Sequence, residues 1–81
     1  MNTANLLAQI SQLFPYFGGK ITDEEWDNSL TDKFVIIRIG LDIIKGCYNR
    51  YYHFLSFHTR EQSDEFLKYN ERLVRDYLML D

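Results

Sequence analysis

The run Lys33-Phe34-Val35-Ile36-Ile37-Arg38-Ile39-Gly40-Leu41-Asp42-Ile43-Ile44-Lys45-Gly46-Cys47-Tyr48 decides the fold. Two stretches of β-branched and aromatic residues flank Gly40-Leu41-Asp42, a turn sequence, and together they predict a β-hairpin. Val35, Ile37 and Ile39 alternate with Phe34 and Ile36, so the first strand is apolar on both faces and needs at least partial cover on both. Asn49-Arg50 breaks the second strand, and Tyr51-Tyr52-His53-Phe54-Leu55-Ser56-Phe57 reads as a third. A three-stranded antiparallel β-meander is then the economical arrangement.

On the N-terminal side, Leu6, Leu7, Ile10, Leu13 and Phe14 repeat at the spacing of one helix face. Thr3 is placed to cap that helix and Pro15 to stop it. Thr22-Asp23-Glu24-Glu25-Trp26 carries capping-box spacing between Thr22 and Glu25, which predicts one or two helical turns with Trp26 as their apolar anchor. Phe14 to Asp32 is a long connection containing Gly18-Gly19, so the sequence leaves open whether the first helix packs on its own sheet or exchanges with a neighbouring copy. On the C-terminal side, Thr59 and Gln62 repeat the capping-box spacing. Phe66, Tyr69, Leu73, Val74, Tyr77 and Leu80 then keep helical spacing with no Gly or Pro to interrupt them. The expectation is one long helix of about five turns over residues 60–81. The whole chain, residues 1–81, reads as a single α+β domain with its helices against a small antiparallel sheet.

The composition limits the function. The chain has 81 residues, a net charge of -3, 46% hydrophobic residues and 26% charged residues. That is one domain's length, too hydrophobic for disorder and too acidic overall for bulk attraction to nucleic acid or anionic lipid. The single cysteine, Cys47, rules out a disulfide framework within the chain. No apolar run reaches the roughly 20 residues of a membrane span, and the first residues lack a basic signal-peptide region. These features predict a cytoplasmic protein that does not enter the membrane.

The segments Leu7-Ala8-Gln9-Ile10-Ser11-Gln12-Leu13, Lys33-Phe34-Val35-Ile36, Phe54-Leu55-Ser56-Phe57-His58-Thr59-Arg60-Glu61-Gln62 and Asp76-Tyr77-Leu78-Met79-Leu80 give the chain a family likeness. It resembles the C-terminal region of small uncharacterised proteins from phages and mobile elements of Bacteroidetes-type bacteria. The likeness covers roughly residues 5 to 80 and lacks an N-terminal portion that those proteins often carry. It implies phage or mobile-element ancestry. It carries no catalytic motif and transfers no functional residue.

The residues themselves offer little chemistry. Cys47 with His53 or His58 is the one candidate nucleophile and base set, but Cys47 lies in an apolar strand and is expected to be a packed structural thiol. His53 and His58 are an odd number of residues apart on one extended strand, so they point to opposite faces, and no zinc-ligand spacing is present. Asp23, Glu24, Glu25 and Asp27 suit the start of a helix as a solvated, dipole-matching cluster, and no calcium-loop pattern accompanies them. Gly18-Gly19-Lys20 lacks the strand and spacing of a phosphate loop. No catalytic residue, metal or cofactor is therefore expected, and the protein is not read as an enzyme.

Charge distribution says more. Residues 1–32 hold one basic residue against five acidic ones, residues 33–60 five against one, and residues 61–81 three against six. The sheet is basic and its flanks acidic. Lys45, Tyr48, Arg50, Tyr51, Tyr52, His53 and Arg60 form the candidate interaction set, since exposed Tyr and Arg typify interface anchors. The reading this favours is a protein–protein interaction module acting as a homodimer or small oligomer. A concrete version is an inhibitor of a host factor that meets its target through Asp23, Glu24, Glu25 and Asp27. The alternative is a nucleic-acid-binding or transcription-modulating protein whose Tyr48 to Arg60 segment forms an aromatic-basic face.

Overall fold

A computed structural model describes residues 3–48 and 52–80. In chain order they form α1 (Thr3–Leu13), a 3-10 turn (Phe14–Phe17), α2 (Asp23–Asp27), β1 (Lys33–Ile39), β2 (Asp42–Tyr48), β3 (Ser56–Phe57), α3 (Arg60–Tyr69) and α4 (Glu71–Tyr77). The architecture is α+β with a three-stranded antiparallel sheet, as the sequence predicts.

The strand order is β2-β1-β3, which corrects the meander. A meander would put β2 in the centre; here β1, the strand with apolar residues on both faces, takes that place. β1 and β2 pair along their full length from Lys33↔Tyr48 to Ile39↔Asp42. The loop between them has only two residues, with Gly40 at φ 62, a left-handed position that glycine suits in a tight hairpin. β3 pairs with β1 only at Phe34↔Phe57 and Val35↔Ser56. The expected third strand therefore shrinks to two residues, and the argument that His53 and His58 face opposite ways along it does not apply.

The C-terminal helix is also not continuous. It breaks at Asn70, whose backbone leaves the helical region at φ -132, ψ 31. Asn70 donates its N–H to Phe66 O at 2.9 Å to close α3, and its carbonyl accepts from Val74 N–H at 3.0 Å to open α4. Asparagine offers its backbone non-helical hydrogen bonds and holds a helix interior weakly. The bend turns Val74 into the core and sets Tyr77 5.3 Å from the ring of Phe54, while Tyr69, on the same predicted stripe, stays 69% exposed.

Both capping boxes form as read. Thr22 Oγ1 accepts from Glu25 N–H at 3.2 Å while Glu25 Oε1 accepts from Thr22 N–H at 3.0 Å; Thr59 and Gln62 do the same at 3.1 and 3.2 Å. Gly18, at φ 91, follows the 3-10 turn, and the place where a Cβ would stand on it is filled by the Gln62 side chain. A larger residue there would disturb both the turn and the α3 cap.

The main core lies on the helix-bearing face of the sheet and consists of Ile10, Phe14, Ile36, Leu55, Phe57, Phe66 and Val74. Phe14, Phe57 and Phe66 sit with ring centroids 5.0–6.1 Å apart, and Phe17 meets Phe66 edge-on at 5.1 Å. Aromatic bulk thus supports a domain too small to rely on aliphatic area alone. α1 contributes Ile10 to this core and so packs on its own chain. A second, smaller cluster of Ile21, Trp26 and Val35 covers the opposite face of β1, which meets the two-sided cover that the strand demands.

Candidate interaction surface

Alternation along the hairpin sorts its side chains by face. Phe34, Ile36, Arg38, Ile43, Lys45 and Cys47 point toward the helices; Lys33, Val35, Ile37, Ile39, Ile44 and Tyr48 point toward α2. α2 is only five residues long, and the cluster it anchors covers Lys33 and Val35 and part of Ile37 on its face. The face is open toward the turn and along the edge strand β2: Ile39 is 58% exposed, Leu41 in the turn is 81% exposed, and Ile44 and Tyr48, the latter across from Lys33, are 38% exposed. Large apolar residues at this density on one projecting hairpin form an uncovered patch.

At the shielded end Lys33 is fully buried. Its ammonium donates to Asn28 O at 2.7 Å and lies 5.5 Å from the centre of the Trp26 ring. Tyr52 packs against Trp26 with ring centroids 5.5 Å apart, and Tyr48 meets His53 at 5.1 Å. Two aromatic pairs, Trp26 with Tyr52 and Tyr48 with His53, therefore stand at this end of the sheet. Burial holds His53 below its ordinary pKa and Tyr77 above its own.

The structure divides the sequence-predicted interaction set. Tyr48 and His53 come together, while Tyr52 packs on Trp26. Lys45 is on the other face, bound to Asp64 of α3 at 2.6 Å, and Arg60 lies over Phe34 at 5.3 Å on that same helix side. Arg50 and Tyr51 fall outside the described residues. The described basic residues and tyrosines thus do not share one sheet face, because an odd separation along β2 sends Lys45 and Tyr48 opposite ways.

The acidic set stays near the surface. Asp23, Glu24 and Asp27 are exposed. Glu25 instead accepts from the Nε2–H of His58 at 2.8 Å. The Thr22 backbone N–H, chiefly, holds its carboxyl below the usual carboxylate range, with His58 adding to the effect. Cys47 is exposed, not packed, because β2 is an edge strand and Cys47 stands near its far end. Among the described residues no group of three or more His, Cys, Asp and Glu is arranged to hold a metal ion, and no helix is long and apolar enough to cross a membrane.

The residues that sequence reasoning missed are Ile39, Leu41 and Ile44. Their signal was available in Ile39-Gly40-Leu41, where apolar residues crowd a two-residue turn that is polar in most hairpins. Comparison of the chain with protein-family models, with curated proteins and with solved structures finds no match.

Proposed function

We propose that this chain is a non-enzymatic protein–protein interaction module of phage or mobile-element origin that acts in the cytoplasm and self-associates as a homodimer or small oligomer. The observation that carries the reading is the exposure of Ile39, Leu41, Ile44 and Tyr48 together on one hairpin. A soluble domain gains by hiding such a patch, and contact with another protein hides it. In the version that involves a host factor, exposed Asp23, Glu24 and Asp27 beside the patch select a basic target.

The test is solution mass by light scattering at low and high salt, with absorbance at 260 and 280 nm recorded. The reading predicts an assembly larger than one chain, free of nucleic acid and insensitive to salt. A monomer that carries nucleic acid and sheds it at high salt would replace this reading with the nucleic-acid alternative. The host-factor version is tested separately by reversing the charges of Asp23, Glu24 and Asp27, which should abolish binding to the captured target.

A further inference from the structure

The hairpin has a second uncovered feature, the outer edge of β2. Ile36 donates its N–H to Leu55 O at 2.9 Å, on the side of β1 away from β2. Ile36↔Lys45 is therefore a non-hydrogen-bonded pair of the hairpin ladder. By the same alternation the N–H and C=O groups of Ile43, Lys45 and Cys47 point outward from the sheet, where the described residues supply no neighbouring strand. Natural edges are commonly blunted by proline, a bulge or a projecting lysine. β2 contains no proline, and its pairing with β1 is continuous. Its one lysine is folded back onto Asp64 at 2.6 Å.

We infer that β2 pairs antiparallel with β2 of a second copy of this chain, joining two three-stranded sheets into one of six strands. The inference rests on the self-association in the reading above and names its surface. A two-fold antiparallel pairing sets residues of the same face opposite each other. With Gly46 on the axis, Ile44 of each copy lies across from Tyr48 of the other and Lys45 across from Cys47. β-branched residues then face aromatic ones, a favourable cross-strand combination, and no like charges meet. A register centred on Lys45 would instead oppose two ammonium groups. Gly46 suits the axis because Tyr48 Cε2 is 3.0 Å from where its Cβ would stand, so the Tyr48 ring already covers that position. A second copy fits this edge better than an unrelated extended peptide, since the strand supplies its own match in hydrogen bonding, apolar pairing and charge.

The experiment compares the light-scattering mass of the wild-type chain with those of Cys47→Pro and Ile44→Lys over a range of concentrations. Proline at position 47 removes an outward N–H and leaves the ladder to β1 intact. Ile44→Lys places a charge at an already exposed site and covers the case in which the proline variant does not fold. The inference predicts twice the chain mass for wild type and the single-chain mass for each variant that keeps the wild-type circular dichroism spectrum. A wild-type chain that stays monomeric at every concentration removes self-association altogether. Folded variants that keep the wild-type dimer mass overturn the β2 edge and leave the broader reading standing.

Discussion

Glu25 ties α2 to the loop that leads into α3: its Oε2 accepts from His58 Nε2 at 2.8 Å while its Oε1 caps Thr22 at 3.0 Å. Each partner is about a third exposed, at 31%. The His58 contact itself is then worth less than about 1 kcal/mol, and the cap is the larger part. Glu25→Gln, which can still accept from Thr22 N–H, should cost less than about 1 kcal/mol, whereas Glu25→Ala should cost about 1 kcal/mol or more. Urea denaturation of the two variants at neutral pH separates the contributions.

Acid should weaken the fold in two stages. The Glu25 carboxyl titrates below its ordinary 4.5 in the folded chain, so its contribution is full above that pH and is lost as pH falls through the lowered value. His53 is held below its ordinary 6.5 by burial, so the unfolded chain takes up that proton first and stability declines as pH drops below about 6.5. A denaturant midpoint measured from pH 8 to pH 3 should begin to fall near pH 6.5, and His53→Gln should remove that first stage. A midpoint that stays flat down to pH 5 in the wild type would contradict the burial of His53.

Phe66 is fully buried among three other phenylalanines. Phe66→Ala should cost about 3–5 kcal/mol through lost transfer energy and the cavity left behind. That is a large part of the roughly 5–10 kcal/mol available to a domain of this size. The variant should be largely unfolded near body temperature, and Phe66→Leu should keep a cooperative melt at lower temperature. Thermal melting followed by circular dichroism distinguishes them.

The helix α4 ends with Met79 at φ 62, while Leu80 N–H bonds Arg75 O at 2.8 Å and Met79 N–H bonds Asp76 O at 3.2 Å. This is the Schellman arrangement with methionine where glycine is preferred, and Leu80 is buried against the domain as that arrangement favours. Met79 is 82% exposed and contributes little packing. Met79→Gly should therefore stabilise the protein by about 1 kcal/mol, read as a raised melting temperature.

Lys33 is the buried charge of the smaller cluster, and its removal leaves Asn28 O without the ammonium donor and Trp26 without its cation. Lys33→Ala should cost about 2–3 kcal/mol, and Lys33→Met should recover part of that by refilling the space. The signature is a change in Trp26 fluorescence in both folded variants, since the cation is absent from the ring in each.

The hairpin, both capping boxes and the two-sided cover of β1 were legible because local chemistry dictates them: turn residues, a Thr three residues before Glu or Gln, and apolar alternation. The order of strands was not, since it depends on which strand buries both faces. The meander put β2 in the centre and passed over the two-sided apolar content of Phe34 to Ile39, which suits a central strand. The break at Asn70 escaped an argument based on apolar spacing, because spacing continues across a bend. The burial of Lys33 has no sign in the sequence, since lysines are mostly exposed. The single aromatic-basic face failed for a simpler reason: residues three apart on a strand point to opposite sides, so Lys45 and Tyr48 part company.

The central claim is that the outer edge of β2 pairs with β2 of a second copy, and its most direct test is hydrogen exchange at the backbone amides of Ile43, Lys45 and Cys47 in the wild-type chain. Those amides face away from β1 and have no partner strand among the described residues. The account predicts that they are protected at high protein concentration and lose protection on dilution. Exchange at the rate of open amides at every concentration would contradict it.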